Sequence, residues 1–497
     1  MKEKKVAIIG SGVSGICTFN YLIRDFNFSD VNLNITMYDK NAAIGPGIPY
    51  QDDSDVLLLN RHSKQMSVFN ETPDDFWNWY KSKTEVHFSL DEFLPRRFFG
   101  QYLNETFRKS LKIAKDKNIY VDVKFDEVIN IETGIKKRFI VTSNMDKVEY
   151  DYIILCVGHT KFPDYYKLNG NRNFIYNPYP LVNSLSEVNP KSKIGILGSS
   201  LTAIDISLVL NKRGHQGKIH MLSRNGLLPA VRGNIQPYKL KFFTEDTLKE
   251  IISQNNNEIN LVQIIHILNK ECHYAGLDLK SRILNNRIKL TPKEAIENDM
   301  KDLQELGLWQ SILMETNEVI SKYWFYLNQN DKVTYLKKYE RLFMSERNPM
   351  PIHNAKIILE MLNKNILHIK KGVEDIQIYK NKFNVYFKDF NKESYEWIIN
   401  AVGSTKYLHK SYRDNLLGNL VEAGTAKINK YGGVEVDFDS GSIIDINGKT
   451  NKELKALGHI TCGTYYFTSS VEMISKHAKI ISQDILEHLS SKSLICI

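Results

Sequence analysis

Val6-Ala7-Ile8-Ile9-Gly10-Ser11-Gly12-Val13-Ser14-Gly15 is the stretch that decides the fold. A short Val/Ile run ending at a glycine reads as a buried parallel strand, and the G-x-G-x-x-G that closes it opens a helical stretch to about Phe26. Gly10 permits the tight turn, Gly12 lets the backbone approach a pyrophosphate, and Gly15 lets helix and strand pack closely. Amides at the helix start, those of Val13 and Ser14 among them, then face anionic phosphates without any basic side chain. A second strand over residues 33–38 ends at Asp39, an acid able to accept hydrogen bonds from an adenosine ribose. Strand, glycine motif, helix, strand and acid, in that order, predict a dinucleotide-binding unit.

The pattern recurs in degenerate form. Lys193-Ile194-Gly195-Ile196-Leu197 leads into Gly198-Ser199-Ser200-Leu201-Thr202-Ala203, where Ser200 and Ala203 stand for the second and third glycines. Both are small, so backbone approach and helix packing survive. The helix is expected to end near Gly214, and the strand 219–222 carries Ser223-Arg224 where the first unit has Asp39. Exchanging an acid for Ser-Arg removes repulsion and offers a bidentate cation to a ribose 2′-phosphate, which favours NADPH over NADH. Gly198, Ser199, Ser200, Thr202, Ser223 and Arg224 are the candidate ligands of this second unit.

Between the two units lie Gly45-Pro46-Gly47-Ile48-Pro49-Tyr50, Leu57-Leu58-Leu59-Asn60, Lys64-Gln65-Met66-Ser67 and Arg96-Arg97-Phe98-Phe99-Gly100-Gln101-Tyr102-Leu103. With the first motif, this block resembles the bacterial family of FAD-NAD(P)-binding proteins. Its Arg-Arg-Phe-Phe-Gly-x-Tyr-Leu run is similar to the helix entry of flavin-dependent N-hydroxylating monooxygenases. The resemblance implies FAD on the first unit, with Asn60, Gln65, Met66 and Arg97 beside the flavin. Trp77 and Trp79 read as core aromatics. Two crossing segments, Asp151-Tyr152-Ile153-Ile154-Leu155-Cys156-Val157-Gly158-His159 and Glu396-Trp397-Ile398-Ile399-Asn400-Ala401-Val402-Gly403-Ser404, resemble those that link the two nucleotide domains. The resemblance brings Gly158 and Gly403 close to cofactor, while His159 reads as a packed or hinge residue. The Cys-Val-Gly-His of the first segment departs from the Ala-Thr-Gly-Tyr of those relatives. Ala456-Leu457-Gly458-His459-Ile460-Thr461-Cys462-Gly463 and the amphipathic helix after it resemble the segment that closes an FAD domain, with Gly463 near the flavin.

The expected architecture is therefore α/β: two Rossmann-like domains, the NADPH domain inserted in the FAD domain, with a helical insertion. Its expected parts are an FAD-binding domain at 1–160 and 405–497, an NADPH-binding core at 161–238, a helical insertion at 239–346, and a return segment and linker at 347–404. Within the insertion, helices are predicted over 292–306, with Thr291 as cap and Pro292 in the first turn, and over 333–343. Asn255-Asn256-Asn257 reads as a turn.

A length of 497 residues allows two to four domains, and 42% hydrophobic with 25% charged residues excludes a largely disordered chain. No apolar run reaches the ~18 residues of a membrane span, and the basic N-terminus lacks a cleavage site after its apolar run. No membrane association and an intact, folded terminus are the expectation. Cys17, Cys156, Cys272, Cys462 and Cys496 include no C-x-x-C, which suits a reduced cytoplasmic setting and argues against a dithiol reductase. His62, His215, His266 and His273 make no metal-ligand spacing, so no metal is expected. The net charge of +9 has no basic patch interleaved with aromatics. Lys337-Lys338-Tyr339-Glu340-Arg341 reads as a solvated helix face, and no nucleic-acid partner is expected.

The resemblance implies an NADPH-dependent single-component monooxygenase that acts through a flavin hydroperoxide on a small, amine-bearing substrate. Such chemistry needs a dry site more than an acid–base triad, and no residue is assigned a catalytic role. Two other readings stay open. One is a flavin reductase or dehydrogenase without oxygen insertion, and the other a flavin-binding scaffold or sensor.

Overall fold

The computed structural model describes residues 2–83, 93–134, 138–158, 162–408 and 415–494, the side chains of 284–286 and 491–494 excepted. His159, read above as a packed or hinge residue, lies outside the described residues. The chain divides into two units. The first comprises Met1–Gln51, His62–Thr160 and Thr405–Ile497, and the second Asp52–Arg61 and Lys161–Ser404.

The opening Val/Ile run is the centre of the first unit. Strand Lys2–Ile9 pairs in parallel with Val31–Tyr38 on one side and Tyr152–Leu155 on the other, so its apolar end, Val6 to Ile9, is at most 5% exposed. Tyr120–Lys124 extends the sheet beyond Val31–Tyr38, and Thr450–Ala456 joins it beside Tyr152–Leu155, both in parallel. Helix Val13–Asp25 packs against helices Arg96–Asp116 and Val471–Leu494. In the last of these, Val471, Ala478, Ile481 and Ile485 are buried, and Ser482 donates back to the Thr18 carbonyl.

In the second unit five parallel strands run in the order Leu367–Lys371, Ile219–Ser223, Ile194–Leu197, Trp397–Asn400, Phe174–Ile175. Helix Leu201–Lys212 follows the glycine turn, and Gly214 behind it takes φ +71°, the left-handed conformation of a helix stop. Asp52–Arg61 belongs here because the Asp53 carboxylate accepts from the amides of Leu181 and Val182, at 2.6 and 3.0 Å, and Leu57 is buried in this core.

The two units repeat each other further than the glycine motifs announce. Each has a three-stranded antiparallel sheet just before its crossing strand: Val128–Thr133, Phe139–Ser143 and Lys147–Tyr150 in the first, Val373–Tyr379, Lys382–Phe387 and Lys392–Tyr395 in the second. The crossing strands dock in the same register. Ile9 lies beside Leu155, and Leu197 beside Asn400.

The insertion is helical, with boundaries set by caps. Pro292–Asp299 starts with Thr291 as cap, as the sequence implies, and Glu294 completes a capping box by exchanging bonds with it. The expected helix 292–306 is instead two, because Asp302 caps the amides of Gln304 and Glu305 and opens a new helix, Leu303–Glu315. The expected 333–343 helix also divides, into Gln329–Lys338 and Glu340–Arg347. Asn256 and Asn257 turn the chain with positive φ. Four buried charges staple the insertion together. Arg282 and Arg287 each bridge Asp299 and Glu346, and the Trp309 indole donates to Glu346 at 2.9 Å.

A second polar cluster ties the antiparallel sheet of the second unit to its parallel sheet. Burial acts to raise the Glu393 carboxyl, but Lys193 and Lys370, each at 2.6 Å, and the His220 ring outweigh it and hold the carboxyl at about 2. A carboxyl depressed from its ordinary 4.5 contributes stability above that value and loses it as pH falls toward about 2. The urea midpoint of the wild type is therefore expected to fall more steeply across that window than that of Glu393→Gln. Parallel pH profiles for the two proteins would remove this assignment.

Candidate functional site

In the first unit, three glycines of one motif meet three different constraints. Gly10 has φ +104°, and a Cβ there would sit 2.3 Å from the Cys156 carbonyl oxygen. A Cβ on Gly15 would lie 2.0 Å from the Gly10 carbonyl oxygen. Gly12 differs, with an ordinary φ of −71° and nothing nearer to a Cβ than the Gly47 Cα at 3.9 Å. Chain packing thus demands Gly10 and Gly15 but leaves the space above Gly12 open, as a site for a backbone-bound anion requires. The first-turn amides of Val13 and Ser14 have no intrahelical acceptors, and Gly12 offers no side-chain cap.

Asp39 is placed as expected at the end of the second strand, yet its carboxylate already braces the loop. Oδ2 accepts from the Ser11 amide at 2.8 Å and hydroxyl at 2.6 Å, and Oδ1 from the Asn41 amide at 2.8 Å. The segment around Gly45 crosses the same loop, its amide donating to the Ser11 carbonyl, and a Cβ on Gly100 would stand 2.0 Å from the Tyr50 carbonyl oxygen. The aromatic block is therefore fixed to the motif. Phe76, Phe99 and Tyr102 form its buried centre. Trp77 and Trp79 are half-buried at its edge rather than in the core, where the Trp79 indole donates to Glu105 at 3.0 Å. Arg97 lies half-buried, its guanidinium 4.4 Å from the Phe98 ring.

Gln65 ends a single helical turn, Ser63–Gln65, with Met66 buried after it. Its Oε1 is a buried acceptor without a hydrogen-bond partner among the described residues, which suits a ligand N–H. Asn60 lies in the second unit, where its carbonyl accepts from Arg232 at 2.7 Å. Gly158 has φ +66° and open space where a Cβ would stand.

The closing segment reaches the motif through Gly458. It has φ +85°, and a Cβ there would lie 2.8 Å from the Ser14 hydroxyl. Gly463 is instead packed on the Asn429 side chain and the Gly432 carbonyl, which account for its small size. Tyr466 carries a strain that no motif announces. It is 7% exposed, at φ +63° and ψ −66°, inside a three-residue turn closed by the Phe467 amide on the Tyr465 carbonyl. A non-glycine held there marks a segment whose geometry is imposed by its surroundings.

Two thiols lie under the first motif. Burial pushes both Cys17 and Cys156 up, Cys156 to about 12, so they are protonated and unreactive at neutral pH. Among the described residues no cluster of three or more metal-ligating side chains occurs, and no helix is long and apolar enough to cross a membrane.

The second unit keeps the geometry with altered chemistry. Gly198 has φ +120°, and its Cβ would lie 2.6 Å from the Ala401 carbonyl oxygen, the counterpart of Gly10 on Cys156. Ser200 sits at the helix start with φ −99° and ψ −164°, nearly the backbone of Gly12, and its side chain makes no cap. Ser199 is buried and donates to the Leu227 carbonyl at 2.6 Å, while Thr202 is half-buried in the first turn. Ser223 accepts from the Gly226 amide at 2.9 Å, and Arg224 beside it is exposed. Arg341 does not lie on a solvated face as expected. It is half-buried, and burial, followed by the charge of Arg224, lowers its guanidinium. Nothing in the sequence pairs these two arginines, which are 117 positions apart (341 − 224). Gly403, like Gly158, has positive φ with open space at its Cβ position.

Residues 7–160 match the profile of the FAD-NAD(P)-binding family. Across 80% of this chain and 83% of its own length, the uncharacterised protein YdhS of Escherichia coli (strain K12) is 21% identical. Three solved structures are similar in fold. The reduced form of ornithine hydroxylase PvdA from Pseudomonas aeruginosa is 12% identical, with a TM-score of 0.58 over 98% of this chain and 100% of that one. L-lysine 6-monooxygenase from Pseudomonas syringae is 11% identical, with a TM-score of 0.58 over 97% and 99%. The bacillithiol disulfide reductase Bdr from Staphylococcus aureus is 12% identical, with a TM-score of 0.50 over 98% and 99%.

The glycine geometry gives opposite expectations for two similar changes. Gly15→Ala should destabilise the protein by about 2 kcal/mol or more, because the new methyl meets a carbonyl. Gly12→Ala should leave stability within about 0.5 kcal/mol while weakening dinucleotide retention. Urea denaturation with a measurement of bound dinucleotide checks both, and equal stability losses would contradict the assignment.

Proposed function

Since residues 7–160 match the FAD-NAD(P)-binding family, we propose that the protein is an FAD-containing, NADPH-dependent oxidoreductase that inserts one oxygen atom into a small, amine-bearing substrate. The observation that carries the two-cofactor part is the repeated docking of a glycine turn on a crossing strand, Gly10 on Cys156 and Gly198 on Ala401. When bound, FAD supplies a two-electron acceptor for nicotinamide hydride and a reduced ring that reacts with dioxygen.

This chain's own residues bind and orient. The amides of Val13 and Ser14 receive the FAD pyrophosphate over open Gly12, and Asp39 holds that loop in shape through Ser11. Gln65 Oε1 accepts a ligand hydrogen bond, and Gly158 gives backbone access. The buried closing segment through Tyr466 excludes water, which oxygen transfer needs. In the second unit, Ser200 and Thr202 present the helix start to the NADPH pyrophosphate, and Gly403 gives access. Arg224 and Arg341 are two cations brought together for the 2′-phosphate.

Fold similarity to lysine and ornithine hydroxylases supports the monooxygenase reading, and the raised, buried thiols of Cys17 and Cys156 speak against dithiol chemistry. Cys17, Cys156 and Cys272 are free thiols, which supports a reducing, cytoplasmic setting.

Anaerobic stopped-flow reduction, then mixing with oxygen and a panel of amines, tests the proposal. The expected result is NADPH oxidation accelerated by one class of amine, with a hydroxylated product and little free peroxide. Turnover with another acceptor in the absence of oxygen would replace it by the reductase reading, and no flavin reduction by either nicotinamide by the scaffold reading. Arg224→Ala and Arg341→Ala should each reduce the preference for NADPH over NADH by roughly tenfold, the loss of one charge-assisted contact. An unchanged ratio would contradict the phosphate assignment.

A further inference from the structure

Arg232 is a buried cation with no carboxylate among its hydrogen-bond partners in the described residues. The strip that carries it is rigid. The Arg232 amide donates to the Met350 carbonyl, the Met350 amide to the Ala230 carbonyl, and the Gly233 amide to Gln310 Oε1. A Cβ on Gly233 would lie 2.4 Å from the Gly307 amide nitrogen, so the strip sits hard against helix Leu303–Glu315. Among the described residues, neutral acceptors hold the Arg232 side chain in place. Nη2 donates to the Asn60 carbonyl at 2.7 Å, and Nη1 reaches Gln310 Oε1 at 3.5 Å and Met314 Sδ at 3.7 Å. Nε is buried and has no hydrogen-bond partner among the described residues. The residue is only 8% exposed.

The nearby carboxylates are committed elsewhere. Asp299 accepts from the Val231 amide, one residue before Arg232, but its charge goes to Arg282 and Arg287. Glu346 serves the same two arginines. That quartet is balanced, two cations against two anions, and Arg232 is left outside it. What stands beside Arg232 is another cation, Arg61, and burial together with that charge lowers the Arg232 guanidinium to about 9. An arginine so placed pays desolvation and repulsion without a compensating ion pair, unless an anion from outside the chain completes the site.

We infer that Arg232 forms the floor of a binding site for a small-molecule oxyanion, a carboxylate or a phosphate, separate from the dinucleotide phosphates. The phosphates of a dinucleotide have their own places at the helix starts after Gly12 and Ser200, and Arg232 belongs to neither turn. The planar guanidinium, with Nε unpaired among the described residues and Nη2 anchored to a carbonyl, offers a pre-set donor edge to a carboxylate or phosphate oxygen. The inference does not depend on oxygen insertion. If the proposed function holds, the site adds that the substrate or an effector carries an anionic group.

The test uses the full-length, flavin-loaded protein with potassium phosphate, sodium acetate and sodium succinate as probes, against chloride at equal ionic strength. Melting temperature and calorimetry are read for the wild type, Arg232→Met and Arg232→Lys. The expected result is saturable stabilisation of the wild type by phosphate or by the carboxylates, whichever arm responds naming the ligand chemistry. Arg232→Met should lose that response while melting no lower than wild type without oxyanion, because it removes an unanswered buried charge. Arg232→Lys keeps the charge without the fork and should bind roughly ten- to a hundredfold more weakly. A wild type that responds no more to oxyanions than to chloride would overturn the inference. So would variants that keep the oxyanion response, or that lose FAD or NADPH binding in its place.

Discussion

The fold rests on a close approach of backbone to backbone. The Gly10 amide donates to the Tyr38 carbonyl, the Cys156 amide to the Ile9 carbonyl, and the Cys156 carbonyl fills the space where a Gly10 side chain would be. Only a residue without a Cβ, at φ +104°, lets the first strand end there and turn into the helix that starts at Val13. The second unit repeats every term. The Gly198 amide donates to the Leu222 carbonyl, the Ala401 amide to the Leu197 carbonyl, and the Ala401 carbonyl abuts Gly198. Strand order, helix direction and the placing of the open turn all follow from this junction.

Local sequence made these junctions legible because the physical demands fall on adjacent residues. A Val/Ile run, a glycine turn and a helix start can be read within a dozen positions, and so can the Thr291 cap before Pro292. The broken helices of the insertion show the limit of that reading. Apolar spacing continues through Met300 and Leu303, and only the Asp302 side chain, turned onto the amides of Gln304 and Glu305, restarts the helix.

What the sequence left hidden depends on contacts between distant segments. Asp52–Arg61 sits in the second unit because Asp53 meets the amides of Leu181 and Val182, a contact with no local signature. Arg341 looks like one charge among several on a basic helix, and only the folded chain brings it to Arg224. Arg232 looks equally ordinary until its hydrogen-bond partners among the described residues are counted and none is an anion. The strain at Tyr466 is a backbone angle, which composition does not encode.

The central claim is that one chain holds two dinucleotides at once, each on its own glycine turn. Calorimetric titration of the FAD-loaded protein with NADP⁺, with flavin fluorescence followed in parallel, tests it most directly. The account predicts one NADP⁺ bound per chain with FAD retained. Displacement of FAD by NADP⁺, or no NADP⁺ binding while flavin is in place, would contradict it.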